Sequence, residues 1–171
     1  LVFTKLGLDD MISNEFIKHR DKEGVILGTA LVMRLTSAAI SIIVMAILVF
    51  ILQADSILIV VTSMIQSFAL IFQAFNIIDS WFQSYLKSKY VSIAKAIAYS
   101  VMAGYKFWLL VTGKDVVWFA VSSIIDCFLI AIFLYIFYKR NHGQKLYFNL
   151  NIGKKLFQQS HHFIISGIMV L

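Results

Sequence analysis

The chain has 171 residues, 60% of them hydrophobic and only 14% charged, where a soluble domain carries about 45–50% apolar and about 25% charged residues. That composition excludes a water-soluble globule, and it excludes a disordered chain, which could not stay solvated when this apolar. The surplus of 15 Lys and Arg over 9 Asp and Glu gives a net charge of +6, and the placement of those cations points to a membrane surface rather than to nucleic acid.

Bilayer hydrocarbon is about 30 Å thick, so a spanning helix needs about 20 mostly apolar residues. The apolar runs here are too long and too uniform for alternating barrel strands. Residues 1–8 read as the end of one helix. Four complete spans follow, over 25–53, 56–78, 91–112 and 116–138, and 163–171 begins a further one. Between spans, 79–90 and 146–160 mix aromatic and basic residues as cytoplasmic interfacial segments do. In the first of these, Trp81, Phe82 and Tyr85 are expected at headgroup level, with Lys87 and Lys89 toward anionic lipid. The expected fold class is an all-α polytopic membrane protein with four complete transmembrane helices and parts of two more. Both ends read as cut from a longer protein.

Eleven of the 15 basic residues lie on or beside the three longer connections, Lys114 lies on a short one, and Arg34, Lys95 and Lys106 lie inside spans. By the positive-inside rule the long connections are cytoplasmic. This accounts for the net charge without a nucleic-acid partner.

Charges inside the spans are the informative residues, since each costs about 2.5–3.5 kcal/mol at a helix centre and so faces a cavity or a partner. Arg34 lies about 13 Å into the first span and Asp126 about 15 Å into the fourth. Lys95, one turn from the start of its helix, can snorkel to the interface. Lys95 and Lys106 are eleven residues apart, so they share one stripe with Tyr99 and Met102 between them. Two cations and a phenol on one side suit an anionic group moving along the helix. The competing reading pairs Lys106 with Asp126 on the next helix as a structural tie, and the two readings are compatible.

Signals for catalysis or cofactors are poor. The single Cys127 excludes an internal disulfide and a multi-cysteine metal site. His161 and His162 are adjacent and point about 100° apart, unlike a chelating i, i+4 pair. His19 and His142 are loop residues, Asp9 and Asp10 an exposed carboxylate pair, and no glycine-rich phosphate motif occurs. Gly24 and Gly28 form one GxxxG, a signal for close helix packing. With no proline in the chain, any bend is expected at Gly104, at serines or at inserted water. The expectation is a chain with no catalytic residue, metal or cofactor.

Three stretches carry a family resemblance: Leu6-Gly-Leu-Asp-Asp10, Glu23-Gly-Val-Ile-Leu-Gly-Thr-Ala-Leu-Val-Met-Arg-Leu35, and Phe72-Gln-Ala-Phe-Asn-Ile-Ile-Asp-Ser-Trp-Phe-Gln-Ser84 continuing through Leu86-Lys-Ser-Lys-Tyr90. In order and spacing they resemble the polysaccharide biosynthesis (Wzx-type) flippases of the multidrug/oligosaccharidyl-lipid/polysaccharide exporter superfamily. The resemblance implies part of the amino-terminal lobe of an exporter with about a dozen or more helices. It implies translocation of undecaprenyl-diphosphate-linked oligosaccharide across the bacterial cytoplasmic membrane, for O-antigen, capsule or exopolysaccharide synthesis. It also implies membrane lipids, a polysaccharide polymerase and chain-length proteins as partners. Arg34 resembles an arginine of the family's third helix and Lys106 a lysine of its fifth, so the expected cavity set is Arg34, Lys106, Asp126, Lys95 and Tyr99. The alternatives are a multidrug or other lipid-precursor exporter of the same superfamily, which would favour acidic cavity residues, and a membrane enzyme acting on lipid-linked sugars, which would need convergent acid and base groups. A structural membrane scaffold is a third.

Overall fold

A computed structural model describes residues 12–13, 15–52, 56–141, 143–154 and 156. The expected helix ends at 1–8 and 163–171 lie outside these. Among the described residues every regular element is helical: α1 (Glu23–Leu52), α2 (Ile57–Gln73), α3 (Ile77–Ser84), α4 (Ser88–Val111) and α5 (Val116–Arg140). Short 3-10 turns at Arg20–Lys22 and Ala74–Asn76 precede α1 and α3.

Three helical stretches are long and apolar enough to cross a membrane: Glu23–Leu52, Ile57–Ser84 and Val116–Arg140. α4 is 24 residues long, about 36 Å at 1.5 Å per residue, but Lys95 and Lys106 and its small residues leave it short of that apolarity. The four spans read from the sequence thus become three of full apolarity and one long, more polar helix.

The helices form an open row. α2 packs against both α1 and α5, α5 packs against α4, and α1 makes no backbone contact with α4 or α5. Burial is concentrated at one end, where Ile26, Leu27, Ile77, Ile78, Phe82, Val91, Leu134 and Tyr138 make a single core. Further along, side chains such as Ile40, Phe50 and Leu58 stand outward, an unfavourable surface in water but the normal one against lipid. α4 docks on α5 through Ala94 and Ala98, both fully buried, because small side chains let helix backbones approach closely in a bilayer.

The expected break between a span and an interfacial helix at 78–79 does not occur. Helical backbone continues through the 3-10 turn to Ser84 and stops at Leu86. There Leu86 N–H donates to the Gln83 carbonyl and Lys87 N–H to the Phe82 carbonyl, the Schellman pattern, with Leu86 in the left-handed region at φ 54°. Gly113 does the same after α4 at φ 62°, its N–H donating to Leu110 and that of Lys114 to Leu109.

Two aromatic–cation pairs mark the ends of α5. Lys114 Nζ lies 5.9 Å from the Trp118 ring centroid and Lys139 Nζ 5.5 Å from that of Tyr135. Their aromatic members are seventeen residues apart, about 26 Å along the axis, close to the hydrocarbon thickness of about 30 Å.

Candidate polar groove and charged elbow

The core end is organised by a carboxylate. Glu23, buried at the start of α1, accepts hydrogen bonds at Oε2 from Trp81 Nε1 at 3.2 Å and from the Tyr85 hydroxyl at 2.6 Å. The donors sit four residues apart on α3 and its C-terminal turn, so both reach one acceptor. Trp81 also packs edge-on against Tyr138 of α5 at 4.9 Å. Interfacial exposure was expected for Trp81 and Phe82, yet they are 3% and 0% exposed. An aromatic with a polar handle enters a core readily when that handle finds an acceptor, and Glu23 supplies it. Tyr85 is half-buried for the same reason. Lys87 reaches Asn141 Oδ1 at 3.4 Å, and Lys89 is exposed.

Gly24 and Gly28 serve a close approach, but not by another helix. The segment 143–149 crosses α1 without regular structure: Gly24 N–H donates to Gln144 Oε1 at 3.2 Å, Tyr147 N–H to the Gly24 carbonyl at 3.2 Å and Asn149 N–H to Thr29 Oγ1 at 3.1 Å. A Cβ on Gly28 would lie 2.5 Å from the Tyr147 carbonyl oxygen. The first part of the expected interfacial segment 146–160 is thus a strap over α1, with helical backbone at 150–154.

Between α1 and α2 lies a groove of about 340 Å³, lined by Ser41 and Met45 on one helix and Ser63, Gln66, Ser67, Leu70 and Gln73 on the other. Spacings of three, four and seven residues bring Ser63, Gln66, Ser67, Leu70 and Gln73 onto one face of α2. Ser67 Oγ is occupied by the Ser63 carbonyl at 2.8 Å. At one end Gln73 Nε2 donates to Cys127 Sγ on α5 at 3.8 Å, and Phe72 meets Phe128 edge-on at 5.1 Å. Arg34, half-buried, shares the Ala38–Ser41–Met45 stripe of α1.

The expected cavity residues do not converge. Asp126 lies midway between Trp118 and Tyr135, and its Oδ1 is sealed from solvent with no hydrogen-bond partner. Lys106 is half-buried, and no ion pair joins it to Asp126. Counted from the α4–α5 turn, Lys106 stands opposite residue 121, five residues or about 7.5 Å short of Asp126. Along the predicted cationic stripe, Met102 is buried while Tyr99 is 53% exposed, because the helix buries its Ala94–Ala98–Met102 seam, which shares only Met102 with the stripe. Lys95 is not free either: its Nζ donates to Asp79 Oδ2 at 2.6 Å. That pair lines a second cavity, of about 450 Å³, with Gln83, Ser88, Val91 and Ser92 at the elbow between α3 and α4.

Glu23 and Asp79 are not marked as site residues by the sequence alone. A lone acid at the mouth of an apolar span, with two amphipathic aromatics four apart elsewhere, was the available signal for the first. The neutral groove residues were likewise legible only as a repeating one-face spacing on α2. Comparisons with protein-family models, with curated proteins and with solved structures each find no match.

Proposed function

We propose that this chain is part of a flippase that moves undecaprenyl-diphosphate-linked oligosaccharide across the bacterial cytoplasmic membrane by alternating access, with its long basic connections on the cytoplasmic side. The observation that carries the reading is the groove between two helices otherwise apolar enough to span a bilayer, a mainly apolar surface into which Ser41, Ser63 and Gln66 bring hydroxyl and amide groups. Such groups at membrane depth call for a polar occupant, and neutral donors and acceptors suit sugar hydroxyls. Arg34 on the same α1 stripe offers a fork for the diphosphate, while Lys106 and Tyr99 on α4 stand apart from this groove. Polymerase and chain-length proteins would receive the translocated unit.

The test uses the full-length protein in a strain lacking its own flippase. Arg34→Ala and Gln66→Leu are each expected to abolish surface glycan at unchanged membrane abundance, with lipid-linked intermediate accumulating in the inner leaflet. Arg34→Lys is expected to rescue partly, since it keeps the charge and loses the bidentate fork. Normal surface glycan from Arg34→Ala overturns the reading.

The unpartnered Oδ1 of Asp126 favours one rival, an exporter of cationic drugs, because an acid suits a cationic cargo. Under that reading Asp126→Asn raises sensitivity to lipophilic cations and leaves surface glycan unchanged.

A further inference from the structure

We propose that the cavity at the α3–α4 elbow binds the phosphoethanolamine headgroup of a membrane phospholipid, with Lys95, Ser88 and Ser92 holding the phosphate and Asp79 the ammonium. Its volume, about 450 Å³, is in the range of about 300–1,000 Å³ usual for small-molecule sites, and all its lining residues except Val91 are polar.

Donor supply matches a phosphate. The Lys95 ammonium has three N–H donors, and Asp79 takes one, leaving two for a ligand on a side chain 35% exposed. Ser88 and Ser92, one turn apart on α4, have hydroxyls with no partner among the described residues. With Lys95 they follow an i, i+4, i+7 spacing, so all three face one way.

Charge selects the headgroup. The cavity holds one cation and one anion, and its net charge is zero. An anionic headgroup would gain Lys95 but meet the Asp79 carboxylate. A phosphoethanolamine places opposite charges against both. Asp79 is held in position by Gln83 Nε2 at 2.9 Å and by Lys95 at 2.6 Å, and each carboxylate oxygen keeps a further acceptor site for an N–H donor. A choline headgroup, with no N–H, cannot use that site.

Depth and direction fit a lipid rather than a free phosphate ester. Counted from the α4–α5 turn, Ser92 stands level with Tyr135, whose ring and the Lys139 ammonium mark the headgroup boundary. From the cavity the exposed stripe of α4 continues through Ala96, Tyr99 and Ala103 toward the bilayer interior, a track for an acyl chain. The exposed cations Lys89 and Lys139 draw anionic lipid in general and provide no choice between headgroups. The site is independent of the groove between α1 and α2, and it takes Lys95 out of the substrate path.

The test is lipid retention by the full-length protein, measured by native mass spectrometry after equilibration with equal amounts of phosphatidylethanolamine, phosphatidylcholine and phosphatidylglycerol of identical acyl chains. The expected result is about tenfold preference for phosphatidylethanolamine. Asp79→Asn is expected to erase the preference over phosphatidylglycerol, and Ser92→Ala, which breaks no internal bond and so folds normally, to cut retention severalfold. Soluble O-phosphoethanolamine is expected to compete at least a hundredfold less well than the lipid. Equal retention of the three lipids, phosphatidylethanolamine retention unchanged in Ser92→Ala, or displacement by soluble phosphoethanolamine at lipid-like concentrations overturns the proposal.

Discussion

Trp81 donates its indole N–H to Glu23 across 58 positions of sequence, and Tyr85 adds its hydroxyl to the same carboxylate oxygen. A charged acceptor and two amphipathic donors thereby fasten the start of α1 to α3 inside the core. Hydrogen bonds to a charged group contribute about 1.5–3 kcal/mol each, and a buried donor left without its acceptor adds a desolvation cost. Glu23→Ala is therefore expected to destabilise the protein by about 3 kcal/mol or more, and Tyr85→Phe, which removes one donor and keeps the ring, by about half as much. Denaturant titration in detergent micelles measures both. Equal small losses would show that the carboxylate is solvated.

The glycines make opposite forecasts. A Cβ on Gly28 would lie 2.5 and 2.8 Å from backbone atoms of Tyr147, whereas one on Gly104 would meet nothing within 4 Å. Overpacking costs about 1–3 kcal/mol, and backbone has little room to yield, so Gly28→Ala is expected at the upper end of that range. Gly104→Ala lies mid-helix, where alanine is favoured by about 0.5–1 kcal/mol, and is expected to stabilise. The two melting temperatures should move in opposite directions.

Leu86 is a leucine doing a glycine's work. Its left-handed backbone costs a residue with a Cβ about 1–2 kcal/mol, and at 94% exposure its side chain contributes no packing. Leu86→Gly is expected to gain about 1 kcal/mol, reduced somewhat by the freer unfolded chain. A loss of stability would mean that the leucine is anchored in lipid.

Lys106 and Asp126 give a thermodynamic cycle. With no ion pair between them, the effects of Lys106→Met and Asp126→Leu on stability are expected to add to within about 0.5 kcal/mol. A structural pair would instead give a double variant much more stable than the sum, since each single change would leave one buried charge uncompensated. Coupling above about 2 kcal/mol would establish the pair.

Hydropathy located the helices because a span must satisfy its backbone and cover its length with apolar side chains, both local demands. The bounds of helices α1 and α5 were legible to within two residues. What stayed hidden were contacts between distant positions: Asp79 with Lys95, Glu23 with Trp81, Gly28 with the strap at Tyr147. The aromatic–lysine mixture at 79–90 reads the same for a surface anchor as for a buried hinge. Only a carboxylate arriving from another helix decides between them. The stripe containing Lys95, Tyr99 and Lys106 was legible as a stripe. Which neighbour it would face was not, because that depends on how Ala94 and Ala98 seat against α5.

The strap over Gly24 and Gly28 also sets an order of events during biosynthesis. The hydrogen bonds that Gly24 N–H donates to Gln144 Oε1 and Asn149 N–H donates to Thr29 Oγ1 span 120 residues in each case. Translation adds about 5–20 residues per second, so α1 waits at least several seconds with its glycine face uncovered while α2 to α5 are made. During that interval the notch at Gly24 and Gly28 is open to any extended segment, whether from a chaperone, from an insertion factor or from another nascent chain. The last connection in the described chain thus closes the first helix, and a truncation before residue 144 would leave α1 with an unfilled notch at the membrane boundary.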